Sequence, residues 1–243
     1  MKTIIFDVDD TLYDQLSPFR QAITVTFTEL VGLSEEKMRQ LYLDFRYFSD
    51  KVFYLTVDGR LSLTDMRTYR IREALKKQGI QKKEVECQAF QDNYEAFQHQ
   101  ITLQPKMKEL LIDLKSQGFS IGILTNGPTS HQKKKIKQLE IENYIPLDNI
   151  FISGEIGMAK PNVEVFRYIE SVLNLTSNEI IYIGDSYEND VIGAKGAGWE
   201  SVWLNKFDRQ LNKEELQPDD EVTSYEVLYE KKRKDNIKRC RFC

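Results

Sequence analysis

Thr3-Ile4-Ile5-Phe6-Asp7-Val8-Asp9-Asp10-Thr11-Leu12 passes from an apolar, β-type run straight into aspartates, and the rest of the chain is organised around that junction. On a strand, residues two apart share a face. The spacing therefore predicts that Asp7 and Asp9 project together while Val8 points the other way. Two neighbouring carboxylates repel, and both stay ionised only where a cation or hydrogen bonds offset the repulsion. A hard ion with oxygen ligands, Mg²⁺ above all, suits such a pair and leaves room for a phosphate. Taken alone, the pair also reads as a strand that ends in an acidic, solvated turn.

One strand at the start of a chain needs a sheet, and the sequence supplies it only after residue 102. Between about Pro18 and Gln100 the periodicity is helical. Phe19, Ile23, Phe27, Leu30 and Val31 form one apolar stripe, with Gly32 as its stop. Ser34-Glu35-Glu36-Lys37 starts a second helix with Met38, Leu41, Tyr42 and Phe45 on its apolar face. Val57-Asp58-Gly59-Arg60 is a turn. Ser62 to Lys77 and Glu84 to Phe97 are two more helices, which makes a bundle of about four.

From Leu103 onward helix and strand alternate. Helices are expected over Pro105–Ser116, Ser130–Leu139, Asn162–Leu173 and Glu188–Lys195. Strands are expected over Phe119–Leu124, Asn149–Ile152, Glu179–Ile183 and Glu200–Leu204. This alternation predicts an α/β fold, a parallel sheet with helices on both faces. The expected division is residues 1–14 and 103–230 as the α/β core, 15–102 as an inserted helical domain, and 231–243 as a basic, solvated tail. Trp199, Trp203 and Tyr182 read as core packing.

Composition narrows the function. The 243 residues are 41% hydrophobic and 30% charged, with a net charge of −4, too mild to argue for a nucleic-acid or membrane partner. No apolar run reaches the roughly 18 residues of a membrane span, and the N-terminus meets aspartates too early for a signal peptide. Cys87, Cys240 and Cys243 are few and odd in number, which fits a reducing, cytoplasmic setting. Cys240 and Cys243 make only half of a zinc site. His99 and His131 are the only histidines, and neither lies in a zinc-hydrolase or Ser-His-Asp pattern.

In open parallel sheets, ligands sit at the carboxyl ends of strands. The polar residues that follow each predicted strand are Asp7 and Asp9, then Thr125-Asn126-Gly127, then Gly184-Asp185-Ser186 with Asn189-Asp190. Lys160-Pro161 precedes a helix. Each has an ordinary reading. Thr125-Asn126-Gly127-Pro128 is turn chemistry or an anion site. Lys160-Pro161 is a surface lysine before an N1 proline, or a fixed positive charge. Ser186 and Asp190 suit a helix start. Asp10 reads as a turn former. Together they provide carboxylates, a hydroxyl, an amide and a lysine, a set that a metal and an anion would use in full.

In this order, Asp7-Val8-Asp9-Asp10-Thr11, Leu124-Thr125-Asn126-Gly127, Lys160-Pro161 and Gly184-Asp185-Ser186 with Asp190 resemble the motifs of the haloacid dehalogenase-like hydrolases, over about Met1 to Asn205. The resemblance implies a Rossmann-like sheet of order 5-4-1-2-3 and gives the helical insert the place of that family's small cap. Linkers near Tyr13–Ser17 and Gln100–Pro105 would act as its hinges. It implies Asp7 as a nucleophile that forms an aspartyl-phosphate, and Asp9 as the acid and base. Mg²⁺ would be held by the carboxylates of Asp7 and Asp185 and the backbone carbonyl of Asp9. Asp190 would stand behind them, positioning Lys160 or a water. Thr125, Asn126 N–H groups and Lys160 would bind the phosphoryl oxygens.

The implied activity is a Mg²⁺-dependent phosphoric monoester hydrolase acting on a small phosphorylated metabolite, as a monomer or weak homodimer. Asp9 favours phosphate esters, because a halide leaving group needs no acid. A 2-haloacid dehalogenase and a sugar phosphomutase are the alternatives. Leu124-Thr125-Asn126-Gly127-Pro128 with Gln132 and Lys134 resembles the branch acting on pyrimidine nucleoside 5′-monophosphates. The insert would select the substrate through its aromatics Phe19, Phe45, Tyr47, Phe48, Phe53 and Tyr54, most of them core, and through Arg20, Arg46, Lys51 and Arg60.

Overall fold

Strand β1, Thr3–Phe6, is buried at every position, so both of its faces are covered. It lies at the centre of a parallel sheet, hydrogen-bonded to β2 (Ile121–Thr125) on one side and β4 (Ile180–Gly184) on the other. With β3 (Ile150–Ile152), β5 (Glu200–Leu204) and β6 (Asp220–Val222), the order is β3-β2-β1-β4-β5-β6. The expected order 5-4-1-2-3 is present, and β6 extends it by one edge strand. Asp220 and Glu221 have poor strand propensity, and it is pairing with β5 that extends this segment. The computed structural model describes residues 2–57 and 59–240.

Helices α5 (Pro105–Ser116), α6 (Thr129–Gln138), α7 (Ser153–Ile156), α8 (Val163–Leu173), α9 (Ile192–Gly196) and α10 (Tyr225–Cys240) belong to the same unit as the sheet. The helices of Gln15–Ile101 lie in a separate one. Ile5, Leu124 and Tyr182 from three adjacent strands form one core with Val165, Phe166 and Ile169 of α8 and Ala194 of α9. Phe166 packs edge-on against Tyr182 and Trp199, with ring centroids 5.8 and 5.0 Å away. Each such side chain contributes about 1.5–3 kcal/mol when fully buried. Helix α5 packs against α10. The basic segment from residue 231 is no separate tail, because α10 continues through it to Cys240 and Lys232 is buried. Its helical start, from Tyr225 through the buried Leu228, anchors the rest to the core. Cys243 lies outside the described residues.

The second unit, Gln15–Ile101, holds α1 (Leu16–Thr26), α2 (Glu35–Val57), α3 (Leu63–Lys77) and α4 (Glu84–Gln98). Ser62 caps α3 by accepting from the Asp65 N–H at 3.0 Å. Helix α1 ends at Thr26, short of the expected Val31. A tighter 3₁₀ turn at Thr28–Leu30 follows, and Val31 is exposed. Asp58 of the expected turn lies outside the described residues. The core is aromatic: Phe19 meets Tyr42, Phe45 and Phe90 at ring distances of 5.2, 5.0 and 5.6 Å. Tyr47 and Tyr54 are exposed instead, with Lys51 and Arg60 over their respective rings.

Candidate active site

Strand β1 stops at Phe6. The Asp7 N–H still bonds the Ile183 carbonyl at 2.9 Å, and the chain then turns, with the Leu12 N–H bonding the Val8 carbonyl at 2.9 Å. Asp10 takes a left-handed conformation, φ 61°, as a turn former does. Strand alternation therefore does not apply to Asp7 and Asp9. Their carboxylates take different partners, and each has its own lysine.

Asp7 Oδ1 accepts from Lys160 Nζ at 2.8 Å. The same ammonium donates to Asp190 Oδ1 at 2.7 Å and to the Tyr182 hydroxyl at 2.7 Å. An ammonium has three N–H donors, and all three are taken. Lys160 thus reaches a phosphoryl oxygen through an N–H only by releasing one of these partners; otherwise it acts by charge. Its backbone is held as well: Asn126 Nδ2 donates to the Lys160 carbonyl at 2.9 Å, and the Lys160 N–H donates to Asn126 Oδ1 at 3.0 Å. The Asn126 side chain is therefore occupied with Lys160. Pro161 precedes the N-cap of α8, which is Asn162, and does not occupy the first helical position.

Burial, partly opposed by Lys160 and reinforced by Asp190 and Asp9, pushes the Asp7 carboxyl up to about 7. Burial acts to lower Lys160, but the charges of Asp190 and Asp7 outweigh it and hold the ammonium well above the ordinary lysine value. Burial, with the charges of Asp190 and Asp7, raises the Tyr182 phenol far above its usual value, so it stays protonated. Its proton goes to the Leu124 carbonyl at 2.8 Å, which can only accept, so its oxygen is left to receive from Lys160. Tyr182, expected as packing alone, is core by its ring and site by its hydroxyl.

Asp190 lies on a π-helical turn, Tyr187–Val191, a widening that recurs at functional sites. Its Oδ2 accepts from the Ser186 N–H at 2.9 Å. A Cβ on Gly184 would overlap this carboxylate, so only glycine fits at the end of β4. Trp203 Nε1 donates to the Asp185 carbonyl at 2.8 Å and pins the strand end. Asp7, Asp185 and Asp190 each offer a carboxylate oxygen, and the three atoms lie within 4.8 Å of one another. Asp190 thus bonds Lys160 through one oxygen and also stands in this acidic group. When all three carboxylates are ionised, they and one ammonium sum to −2, the charge a divalent cation balances, and an all-oxygen set suits Mg²⁺. The Asp9 carboxylate is not in this group. Thr125 and Thr11 are fully buried, and among the described residues their hydroxyls have no hydrogen-bond partner.

Asp9 Oδ1 accepts from Lys135 Nζ at 2.6 Å and from the Tyr13 hydroxyl, and Oδ2 accepts from Gln132 Nε2 at 3.0 Å. Burial would raise this carboxyl, but the Lys135 charge and the hydrogen bonds from Lys135, Tyr13 and Gln132 outweigh it and hold it well below the usual range. Lys135 and Tyr13 escaped sequence reasoning, which singled out Gln132 with Lys134. The signal was there: Gln132, Lys135 and Ile136 are spaced three and four apart, and all three are buried. Asp10 is fully buried against Lys206, 2.9 Å away, whose ammonium also donates to the Tyr225 hydroxyl at 2.8 Å.

Residues 1–198 match the family model of the haloacid dehalogenase-like hydrolases. The glyceraldehyde 3-phosphate phosphatase of Methanothermobacter thermautotrophicus is 27% identical over 224 residues, which cover 84% of this chain and 86% of that one. The pyrimidine 5′-nucleotidase YjjG of Escherichia coli is 35% identical over 91 residues, 37% of this chain and 40% of that one. The crystal structure of the L-2-haloacid dehalogenase RSc1362 superposes with a TM-score of 0.72 at 16% identity, covering 95% of this chain and 97% of that one, a likeness of fold alone.

Proposed function

The chain belongs to the haloacid dehalogenase-like hydrolases, and within that family we propose that it is a Mg²⁺-dependent phosphoric monoester hydrolase acting on a small phosphorylated metabolite. The observation that carries this reading is the gathering of carboxylate oxygens of Asp7, Asp185 and Asp190 within 4.8 Å of one another, with Lys160 bonded to Asp7 and Asp190.

In this reading Asp7 is the nucleophile, giving an aspartyl-phosphate. The carboxylates of Asp7 and Asp185, joined by Asp190, and the backbone carbonyl of Asp9 would hold Mg²⁺. When bound, the ion offsets the repulsion between a carboxylate and an anionic ester. Lys160 adds a fixed positive charge next to Asp7, in a buried setting where it counts for more than in water. Thr125, Thr11 and the Asn126 N–H bind phosphoryl oxygens. Asp9 protonates the leaving oxygen and then takes a proton from the attacking water. Ionised as it is here, Asp9 suits the second of these tasks, and it must gain a proton for the first.

A halide leaving group would need no such acid, so the presence of Asp9 favours phosphate esters over haloacids. The kinship with a glyceraldehyde 3-phosphate phosphatase over most of the chain supports a phosphate ester as well. The partial match to a pyrimidine 5′-nucleotidase keeps pyrimidine nucleoside 5′-monophosphates among the candidate substrates.

The test is phosphate release from nucleotides, sugar phosphates and small phosphoacids, with 2-chloropropionate as the haloacid control. Release that stops with EDTA, returns with Mg²⁺ and is absent from Asp7→Asn is expected. Activity of Asp7→Asn within about tenfold of wild type would remove the nucleophile assignment. Halide release without Mg²⁺ would favour the dehalogenase, and isomerisation of a sugar phosphate without free phosphate the mutase.

A further inference from the structure

We propose that Lys135 is a positioning residue: together with Gln132 and Tyr13 it holds the Asp9 carboxylate in the single orientation from which Asp9 serves the leaving group. This inference rests on the phosphatase reading above.

Three donors from two separate stretches of chain converge on one side chain. Lys135 Nζ and the Tyr13 hydroxyl take Oδ1, and Gln132 Nε2 takes Oδ2. Neither α6 residue is a surface group that happens to reach, for Gln132 is 2% exposed and Lys135 4%. A lysine is almost never buried without a partner, because its charge gives up hydration. Here the partner is Asp9, and the Lys135 ammonium also stands 6.0 Å from the centre of the Tyr13 ring.

The second Gln132 Nε2 hydrogen goes to the Asn126 carbonyl at 2.7 Å. Both amide hydrogens are thereby committed, and the amide cannot turn away. Asp9 is thus tied to the loop that follows β2 and carries Thr125 and Asn126. A free aspartate turns about two torsions; with both oxygens engaged from different directions, one arrangement remains. Acid–base groups need such definition, since a displacement of about 1 Å costs on the order of a hundredfold in rate.

A leaving oxygen needs a proton in proportion to its basicity. Losing Lys135 eases protonation of Asp9 but also frees its side chain to turn away. Misplacement, at about a hundredfold, is the larger effect. The loss therefore falls on esters with a poor leaving group and spares those with a good one, in kcat/KM, which reports the step that forms the aspartyl-phosphate. A merely structural role would lower both alike. The probes are phenyl phosphate and p-nitrophenyl phosphate, with the full chain and Mg²⁺. For Lys135→Met, the ratio of kcat/KM for phenyl over p-nitrophenyl phosphate is expected to fall by at least about tenfold. Lys135→Arg, which keeps the cation, is expected to restore most of that ratio.

Tyr13→Phe removes one donor, keeps the ring, and is expected to shift the ratio in the same direction by a smaller factor. It covers the case in which Lys135→Met does not fold. A ratio unchanged in Lys135→Met, or in Tyr13→Phe where only that variant folds, would overturn the proposal. A wild-type chain that releases phosphate from neither ester would instead overturn the phosphatase reading beneath it.

Discussion

Tyr182→Phe removes a single oxygen and nothing else from the core, so its effect can be worked out from two hydrogen bonds. The ring keeps its place against Phe166 and Trp199. The two short bonds lost are the one from Lys160 Nζ at 2.7 Å and the one to the Leu124 carbonyl at 2.8 Å, beside a longer, weaker one to Asp190 Oδ1 at 3.4 Å. A hydrogen bond to a charged group contributes about 1.5–3 kcal/mol, and a buried carbonyl left unpaired costs about 1–3 kcal/mol. Allowing for partial relaxation, the expected loss is about 2–4 kcal/mol. For a chain of this size it corresponds to a fall in Tm of roughly 5–15 °C. Urea and thermal unfolding followed by circular dichroism would measure it. The freed N–H also lets the Lys160 ammonium move from Asp7, so kcat is expected to fall in a variant that is still folded. A stability loss below about 1 kcal/mol would show that the Tyr182 hydroxyl does not hold Lys160, and the argument from three occupied N–H groups would fail with it.

Two further outcomes follow from the same reasoning. Lys206→Met leaves the fully buried Asp10 carboxylate without its ammonium and should cost about 3–5 kcal/mol. Adding Asp10→Asn should recover much of that loss, and a double variant no more stable than Lys206→Met would contradict the pairing. Asp9→Asn should lower kcat/KM for phenyl phosphate more than for p-nitrophenyl phosphate, and equal losses would speak against Asp9 as the proton donor.

Strands β1 to β5, the helices between them and the strand-end clusters were legible because each leaves a local trace, whereas the order of the strands came from the family resemblance. Continuous apolar runs such as Ile180–Ile183 mark a strand buried on both faces, and a polar break at its end marks where the sheet stops. Strand β6 left no such trace, since Asp220 and Glu221 become a strand only by pairing with β5. Helix α10 was hidden in the same way, its charged residues masking the few positions, Tyr225 and Leu228, that dock.

Sequence by itself determined the α/β class, the run of helical periodicity after the first strand, and which carboxylates follow the strands, because periodicity and turn chemistry act over a few residues. Only the tertiary structure decided the pairing of those charges: Lys160 with Asp7, Asp190 and Tyr182, Lys135 with Asp9, and Lys206 with Asp10. These partners lie as far as 196 positions apart in the chain. Which of Lys133, Lys134 and Lys135 reaches Asp9 depends on how α6 is rotated over the sheet, and that rotation is set by packing summed over the whole core rather than by any residue near the lysine.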